Sequence, residues 1–343
     1  MERYQTSDFD IQIPREMVAQ EPVEPRDYSK MMVIHRSTEE IEHKMFYNLP
    51  EFLEKGDTLV FNDSRVIPAR LRGNLHGSPM EEIVVVLLNR IINDGTWEAL
   101  TEVGVVKEGD IIDLKGFYGE VVRVNEKIGK RSESIIWLKI SDETKIDKAG
   151  EAPIPPYVHG FKGDPERYQT VYARVRGSAA APTAGLHFTD RLLLQLDKMG
   201  VNLCFVTLHV GVDTFMPVQE TSPKDHKMYT EFCRVSKEVA AVLNKTRASG
   251  HKIVGVGTTS VRTLESSWNG EFKEYSDWTN LYILPGYKFH TIDAMITNFH
   301  YPKSTNLIMI SALMGLDFLK VAYGEAVKNG YRFYSFGDST LIL

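Results

Sequence analysis

Cysteine is scarce in this chain, which has only Cys204 and Cys233 among its 343 residues. Neither belongs to a CxxC motif, and no histidine pair accompanies them at the spacing of a zinc site. Neither a disulfide framework nor a structural metal site is therefore indicated. We expect no metal among the functional groups of this protein.

The chain also lacks long apolar runs and an excess of positive charge. No stretch approaches the roughly 20 apolar residues that span a bilayer, and residues 1–5 lack the apolar core of a signal peptide. Forty Lys and Arg against 46 Asp and Glu leave a formal net charge of -6. We expect a cytoplasmic protein without a membrane partner. Its surface is not basic throughout, but a local basic groove is compatible with this charge.

A composition of 43% hydrophobic and 25% charged residues is typical of a globular protein, and the length is sufficient for two domains. Between residues 57 and 140, short strand-like runs recur with Gly and Asp turns between them and no helical stretch. This pattern predicts a small all-β unit, most simply a barrel. A proline-rich segment, residues 152–157, marks its end.

Helices and strands alternate after this segment, which is typical of a mostly parallel sheet with helices on its faces. The predicted elements are a helix capped by Thr189 and stopped by Gly200, strand 202–210, helix 236–249, strand 252–256, helix 258–267 and strand 281–284. The opening segment ends in a strand at residues 57–61, so the β unit reads as an insertion. We therefore predict an α/β main domain with a mostly parallel sheet, residues 1–62 and 152–343, and an inserted small β-barrel domain, residues 63–151.

A run of small residues at 179–189 is the most informative local feature. Pro182 and Gly185 let the backbone pass close to a ligand, and the polar atoms of Thr183 and His187 would lie at the point of approach. A run of this kind would be costly if it served only as hydrophobic core, so it indicates a ligand-binding site.

Two clusters of charged residues occur in the sequence, one at the start of the predicted barrel domain and one after its end. In residues 62–70, Arg65 and Arg70 are suited to hold a carboxylate or phosphate, with Asp63 orienting one of them. Residues 167–174 interleave arginines and tyrosines, a pattern suited to RNA loops because it contacts phosphates and stacks on bases. A turn with ordinary ion pairs is the alternative for the first cluster, and plain surface charge for the second.

Two further clusters follow predicted strands, and a third precedes a long apolar helix at residues 307–316. His209 leaves a strand beside a glycine, as a base or donor in a cleft would, although a core histidine is the alternative. Residues 255–265 begin a helix whose free N–H groups suit an anion, but residue 260 is Ser, so the GxGxxG fingerprint is not met. Residues 297–305 imitate the end of a Walker A loop without its glycines, which excludes a nucleotide triphosphatase. Lys303 there still suits an anion, against the alternative of a capped loop.

Together these clusters resemble the S-adenosylmethionine:tRNA ribosyltransferase-isomerases of queuosine biosynthesis. The resemblance covers nearly the whole chain and is strongest in residues 180–189, 206–211, 256–265 and 297–305. It implies an α/β domain with an inserted barrel. The implied reaction transfers and isomerises the ribosyl moiety of S-adenosylmethionine onto the 7-aminomethyl-7-deazaguanine wobble base of tRNA with a GUN anticodon. Epoxyqueuosine tRNA, adenine and methionine are the implied products, with no cofactor and a monomeric enzyme.

This chemistry needs a base, a donor for departing adenine, holders for the methionine carboxylate and cations for tRNA phosphates. For proton transfer the candidates are His187 and His209, with Asp63 or Glu231 as less favoured bases. Arg262, Thr258 and Thr259 are expected to hold the carboxylate, and Lys303 to face RNA. The full substrate-binding set is Thr183, Gly185, Thr258, Thr259, Arg262, Asn298, His300 and Lys303, and the tRNA-binding set is Arg65, Arg70, Tyr168, Tyr172 and Arg174.

The chain departs from the family pattern at several positions. Asp213 stands where the family usually has Gly, and Met216 stands where it has Arg. The barrel stretches 77–81 and 103–107 also differ. Two alternatives to the queuosine enzyme therefore stay open: a paralogue that uses S-adenosylmethionine with another acceptor, and a non-catalytic RNA-binding or ligand-binding homologue.

Overall fold

The computed structural model describes residues 4–77, 82–92, 94–102, 104–125, 133–155, 157–159, 161, 163–211 and 217–343. The departures at Asp213 and Met216, together with residues 78–81 and 103 of the barrel stretches, lie outside the described residues.

The strands of these ranges, in chain order, are β1 (Lys30–His35), β2 (Glu40–Met45), β3 (Thr58–Asn62), β4 (Ser64–Val66), β5 (Arg70–Leu75), β6 (Glu82–Ile92), β7 (Thr96–Glu102), β8 (Ile111–Leu114), β9 (Phe117–Val124), β10 (Glu133–Ile140), β11 (Val175–Ser178), β12 (Asn202–Leu208), β13 (Glu231–Val235), β14 (Ile253–Val256), β15 (Tyr275–Thr279), β16 (Ala294–Asn298) and β17 (Ser339–Ile342). The α-helices are α1 (Ile146–Ala149), α2 (Asp190–Met199), α3 (Lys237–Ala248), α4 (Thr258–Ser267), α5 (Thr305–Met314) and α6 (Leu316–Lys328).

The main sheet has nine strands in the order β15-β13-β12-β3-β14-β16-β17-β1-β2. Four neighbouring pairs are parallel, β12/β3, β3/β14, β14/β16 and β17/β1. The other four are antiparallel. The prediction of a mostly parallel sheet is therefore not confirmed, because the sheet is mixed. Parallel pairing is continuous only in its centre, and β13, β15, β17 and β2 add antiparallel neighbours.

Alternate residues of the central strands pack on opposite faces, as the period of two requires. Leu59 and Phe61 of β3 lie in the core beneath α2, whereas Val60 lies in the core beneath α3 and α4. The helices begin and end where capping residues predict. Thr189 Oγ1 accepts from Leu192 N at 3.2 Å at the start of α2, and Gly200 ends it in the left-handed region at φ 83°.

The six strands from β5 to β10 form a closed barrel in the order β10-β7-β6-β5-β8-β9, which confirms the predicted all-β barrel. Its interior is filled by aliphatic side chains from alternate positions, including Leu71, Val85 and Val121. β4, which precedes the barrel, pairs in parallel with β11, which follows it. The domain boundaries at residues 62/63 and 151/152 stay a prediction.

The predicted strand at residues 281–284 is wrong. Thr279 Oγ1 accepts from Leu281 N at 3.1 Å, and Leu281 O accepts from Arg262 Nε at 3.1 Å, so side chains satisfy the backbone groups that a strand would pair. The next residues, Pro285 and Gly286, break the pattern.

Within the described ranges, no single helix combines the length and apolar character of a membrane span. The helices α5 and α6 reach that length and character only together, and they bend by 110° at Gly315.

Candidate active site

A solvent-open cleft lies at the carboxyl ends of the parallel strands. Val210 follows β12, Thr258 and Thr259 follow β14, and Thr297 and Asn298 end β16. The central strands β12, β3, β14 and β16 run in the same direction, so their following segments meet at one edge. This edge is where α/β sheets ordinarily bind ligands.

The small-residue run forms one wall of the cleft, through Ala181, Pro182, Thr183 and Ala184. A short 3₁₀ turn, Thr183–His187, presents these residues. Gly257 faces them with φ 85°, and a Cβ atom at that position would lie 3.5 Å from Ala184 Cβ. Small residues on both sides therefore let these two backbone segments approach each other closely at the floor of the cleft.

His187 lies behind this wall and is engaged at both ring nitrogens. Its Nδ1 lies 2.7 Å from Ser29 Oγ, and its Nε2 lies 3.2 Å from Asn298 Nδ2. Burial, together with the positive charges of Arg332 and Arg26, lowers the pKa of His187 to about 3. An amide nitrogen only donates, so Nε2 accepts and Nδ1 carries the single proton of a neutral ring. This geometry favours a positioning role for His187 over the predicted proton transfer.

Asn298 carries this positioning into the cleft. Its Nδ2 donates to His187 Nε2 and to Tyr334 O, both at 3.2 Å, which uses both amide hydrogens and fixes the orientation of the side chain. Its Oδ1 is buried and has no hydrogen-bond partner among the described residues, and Thr259 Oγ1 is in the same state. Both residues line the cleft. Two buried oxygens thus remain for a ligand, since buried polar atoms are normally paired.

His300 is the histidine that lines the cleft itself. Its Nε2 lies 2.7 Å from Thr297 Oγ1, and burial lowers its pKa to about 4. The backbone N–H of His300 donates to Tyr323 OH at 2.7 Å, which holds the loop against α6. The ring is therefore neutral near pH 7.

The two low pKa values predict how stability responds to acid. Histidines of the unfolded chain titrate near 6.5, whereas His187 and His300 accept protons only at about 3 and about 4 when folded. Below about pH 6.5 the unfolded state therefore binds more protons, and the free energy of unfolding falls by up to about 1.4 kcal/mol per pH unit for each histidine. Urea unfolding at about pH 6.5 and pH 5.5 measures this fall, and His187→Gln should remove its own share. An unchanged fall in that variant contradicts the assignment.

Arg262, the predicted carboxylate holder, lies outside the cleft lining. It forms a buried ion pair through Nη1 with Glu231 Oε2, and its Nε donates to Leu281 O. Glu231 Oε1 in turn accepts from Gly211 N at 2.7 Å. The charge of Arg262 is thus engaged inside the protein, although its Nη2 finds no partner within the described ranges.

The structure places the other predicted catalytic residues away from the cleft. Asp63 is buried, where its Oδ2 accepts from Arg174 Nη2 and its Oδ1 from Thr207 Oγ1, each at 2.7 Å. His209 stacks on Phe232 with ring centroids 5.9 Å apart and is not part of the cleft lining. Burial lowers the pKa of His209, and the nearby Asp63 raises it in part.

The predicted tRNA residues fall into two groups. Arg65 and Arg70 line a groove beside the barrel, where Arg65 pairs with Glu166. Tyr168 also lines this groove, but it is 1% exposed and packs against Phe336 at 5.9 Å between ring centroids. Tyr172 is half-buried, packs against Phe61 at 4.9 Å and does not line the groove.

Two predicted substrate contacts also lie elsewhere. A Cβ atom on Gly185 would lie 1.9 Å from Tyr172 OH, so this glycine makes room for the tyrosine. Lys303 Nζ donates to Asp10 Oδ2 at 2.8 Å, and Lys303 is absent from the described cleft lining. Thr183, Thr258, Thr259, Asn298 and His300 are the predicted contacts that the cleft brings together.

Sequence reasoning missed an aromatic wall. Tyr334 lies 4.9 Å from Tyr157 and 5.2 Å from Tyr301 between ring centroids, and Tyr157 OH lies 2.7 Å from Ser335 Oγ. All four residues line the cleft, where aromatic rings suit a planar heterocycle. The position of Tyr301 directly after His300 was the available signal. No group of three or more potential metal ligands occurs in the described part of the chain.

Residues 6–342 of the chain match the family described as "Queuosine biosynthesis protein". The chain belongs to this queuosine biosynthesis family. The resemblance inferred from the sequence is thereby confirmed.

Relatives within the queuosine biosynthesis family match the chain from end to end. A protein of Dehalococcoides mccartyi (strain CBDB1) is 47% identical, and the match covers 98% of this chain and 99% of that protein. A protein of Symbiobacterium thermophilum is 48% identical with the same coverage. Both are named S-adenosylmethionine:tRNA ribosyltransferase-isomerase. The crystal structure of S-adenosylmethionine tRNA ribosyltransferase from Thermotoga maritima matches 98% of this chain and 100% of its own, with 37% identity and a TM-score of 0.56.

Proposed function

We propose that this protein is an S-adenosylmethionine:tRNA ribosyltransferase-isomerase. It transfers and isomerises the ribosyl moiety of S-adenosylmethionine onto the 7-aminomethyl-7-deazaguanine wobble base of tRNA, and it releases adenine and methionine. The observation that carries the proposal is the identity of 47% over almost the full length of a relative with that name. The cleft supports it, because it combines tyrosine rings with two buried, unpaired oxygens.

The reaction begins with the acidity that a sulfonium confers on the adjacent 5′ carbon of the ribose. Removal of a proton there allows adenine to leave, after which the aminomethyl nitrogen attacks and methionine departs. In our proposal the imidazole of His300 accepts the proton, because His300 lines the cleft and His187 does not. His187 takes the positioning role instead of the proton transfer predicted for it, and His209 and Asp63 act outside the cleft.

The cleft residues bind the nucleoside in this proposal. Asn298 Oδ1 and Thr259 Oγ1 accept hydrogen bonds from amino or hydroxyl groups of the bound S-adenosylmethionine, since both oxygens are unpaired within the described chain. The rings of Tyr157, Tyr301 and Tyr334 contact its adenine. Loss of either oxygen would leave a donor of the substrate without a partner.

The tRNA approaches along the groove beside the barrel. Arg65, Arg70 and Arg176 line this groove, and Tyr168 lines both the groove and the cleft. Phosphates contact the arginines, and the wobble base is splayed towards the cleft. A GUN anticodon, a monomeric enzyme, a cytoplasmic location and the absence of a cofactor complete the proposal.

Adenine release tests the function. The purified protein is incubated with S-adenosylmethionine and tRNA bearing the aminomethyl-deazaguanine, with unmodified tRNA as the matched control. We expect adenine only with the modified tRNA. Release with a metabolite pool in place of that tRNA identifies a paralogue with another acceptor, and binding without release identifies a non-catalytic homologue.

A further inference from the structure

A second, smaller pocket lies behind His187, next to the cleft. Ser335 lines both spaces, and His187, which lines the second pocket, contacts Asn298 of the first. Three arginines line the second pocket, Arg26, Arg167 and Arg332, which we call the arginine pocket. None of the three belongs to the substrate-binding or tRNA-binding set predicted from the sequence.

Backbone carbonyls bond all three arginines of this pocket, and carboxylates pair with two of them. Arg26 Nη1 donates to Gln169 O at 2.6 Å, and Arg332 Nη1 donates to Glu21 O at 3.1 Å. Backbone carbonyls orient a guanidinium without cancelling its charge. Arg167 pairs with Glu24, whose side chain is 68% exposed, so water screens that pair strongly.

Arg332 has the least satisfied guanidinium of the three. Its buried Nη2 makes no hydrogen bond to any described residue. Asp338 Oδ1 forms an ion pair with it at 3.5 Å, without a hydrogen bond, and also accepts from Lys30 N at 3.0 Å. A buried nitrogen with unused hydrogens in a polar pocket indicates a missing acceptor.

The positive charge of the pocket acts on its neighbours. Burial lowers the pKa of Arg26, repulsion by Arg167 lowers it further, and Glu24, Asp190 and Glu166 raise it in part. The charges of Arg332 and Arg26 likewise contribute to the low pKa of His187. The arginines thus repel added positive charge, which is the electrostatic condition for binding an anion.

We propose that the arginine pocket binds an oxyanion group of a substrate, at Arg332 Nη2 first of all. The proposal rests on the proposed function, which supplies two such groups: the methionine carboxylate of S-adenosylmethionine and a phosphate of the tRNA. The described cleft lining contains no Lys or Arg, and Arg262 is engaged by Glu231. The arginine pocket supplies the guanidinium geometry that either group needs.

Sulfate is the first probe, because it tests the pocket without any reaction. Sulfate should raise the melting temperature of the wild-type protein beyond what chloride does at equal ionic strength, since a ligand of the folded state stabilises it. Arg332→Gln should lose this increment, and Arg332→Lys should retain part of it. Arg36→Gln is the matched control, because Arg36 is also bonded to backbone carbonyls, Leu343 O and Asp293 O, but does not line the pocket. An equal rise in melting temperature in Arg332→Gln and wild type overturns the proposal. Equal losses of that rise in Arg36→Gln and Arg332→Gln indicate an adventitious ion only, and they overturn it as well.

Two binding measurements, one with S-adenosylmethionine and one with tRNA, identify the source of the oxyanion. If the carboxylate lies there, Arg332→Gln should weaken S-adenosylmethionine binding about 10- to 100-fold, with no effect on decarboxylated S-adenosylmethionine. If a tRNA phosphate lies there, Arg332→Gln should instead weaken tRNA binding and reduce the salt slope of its affinity by about 0.7 for each phosphate that is no longer neutralised. Unchanged binding of both substrates, with a folded variant by circular dichroism, overturns the proposal.

These outcomes separate the arginine pocket from the proposed function. Adenine release by the wild-type protein with modified tRNA depends on the function alone. The sulfate increment depends on the pocket alone, and it is measured without substrate. A protein that releases no adenine but loses its sulfate increment in Arg332→Gln would refute the function and keep the anion site.

Discussion

Glu231→Ala is expected to lower the free energy of unfolding by about 3 to 5 kcal/mol. Glu231 is 2% exposed and Arg262 8% exposed, so the substitution leaves a buried guanidinium without its counter-charge. It also removes the acceptor of the Gly211 N–H. Chemical denaturation monitored by circular dichroism measures the loss.

A matched control is Asp147→Ala, which breaks the pair between Arg176 and Asp147. Their side chains are 53% and 54% exposed, and exposed pairs contribute at most about 1 kcal/mol. The double variant Glu231→Leu with Arg262→Met should recover part of the lost stability, because it removes both buried charges. A loss in Glu231→Ala as small as that in Asp147→Ala would show that the pair is not sealed from water.

The ion pair between Glu231 and Arg262 also explains why Arg262 lies outside the cleft lining, where the sequence pattern predicted a carboxylate holder. Arg262 lies on the first turns of α4, directly after the glycine-containing segment that faces the cleft, so it was expected to face a ligand. A helix turns by about 100° per residue, and this places Thr258 and Thr259 towards the cleft and Arg262 towards β13. The partner, Glu231, is separated by 31 positions and has no local signal.

The barrel and the position of the cleft were predictable because they follow from local periodicity. The strands between residues 57 and 140 alternate without any helical stretch, and small or polar residues follow the central strands. The mixed direction of the main sheet was not predictable in this way. β17 pairs with β1 across more than 300 residues and lies antiparallel to β16, and such pairings leave no pattern within either strand.

The aromatic wall illustrates the same limit within the site. Tyr157 follows the barrel, whereas Tyr301 and Tyr334 lie near the carboxyl end of the chain. Nothing in the sequence links the three positions, and only folding brings the rings of Tyr157 and Tyr301 within 4.9 and 5.2 Å of Tyr334. For His187, the sequence predicted that it belongs to an informative run. It did not predict that the ring lies behind the cleft wall and not in the cleft.

Asn298→Ala is expected to reduce kcat/KM for adenine release about 10- to 100-fold, with KM for S-adenosylmethionine raised and the fold retained. The substitution removes Oδ1, the buried acceptor that no described residue uses. A substrate donor left unpaired in a buried site costs about 1 to 3 kcal/mol, and each 1.4 kcal/mol is about a factor of ten. Steady-state adenine release with modified tRNA measures the change.

The link to His187 makes this prediction specific to orientation. His187→Ala frees the Asn298 amide to rotate, so it should reproduce part of the loss, and the double variant should lose no more than Asn298→Ala alone because the two residues act through one oxygen. His187→Gln, which can still present an acceptor to Asn298 Nδ2, should restore activity above His187→Ala. The matched control is Asn329→Ala, since Asn329 is exposed and bonded to Glu325. Additive losses in the double variant would refute the positioning role, because independent sites add and coupled ones do not.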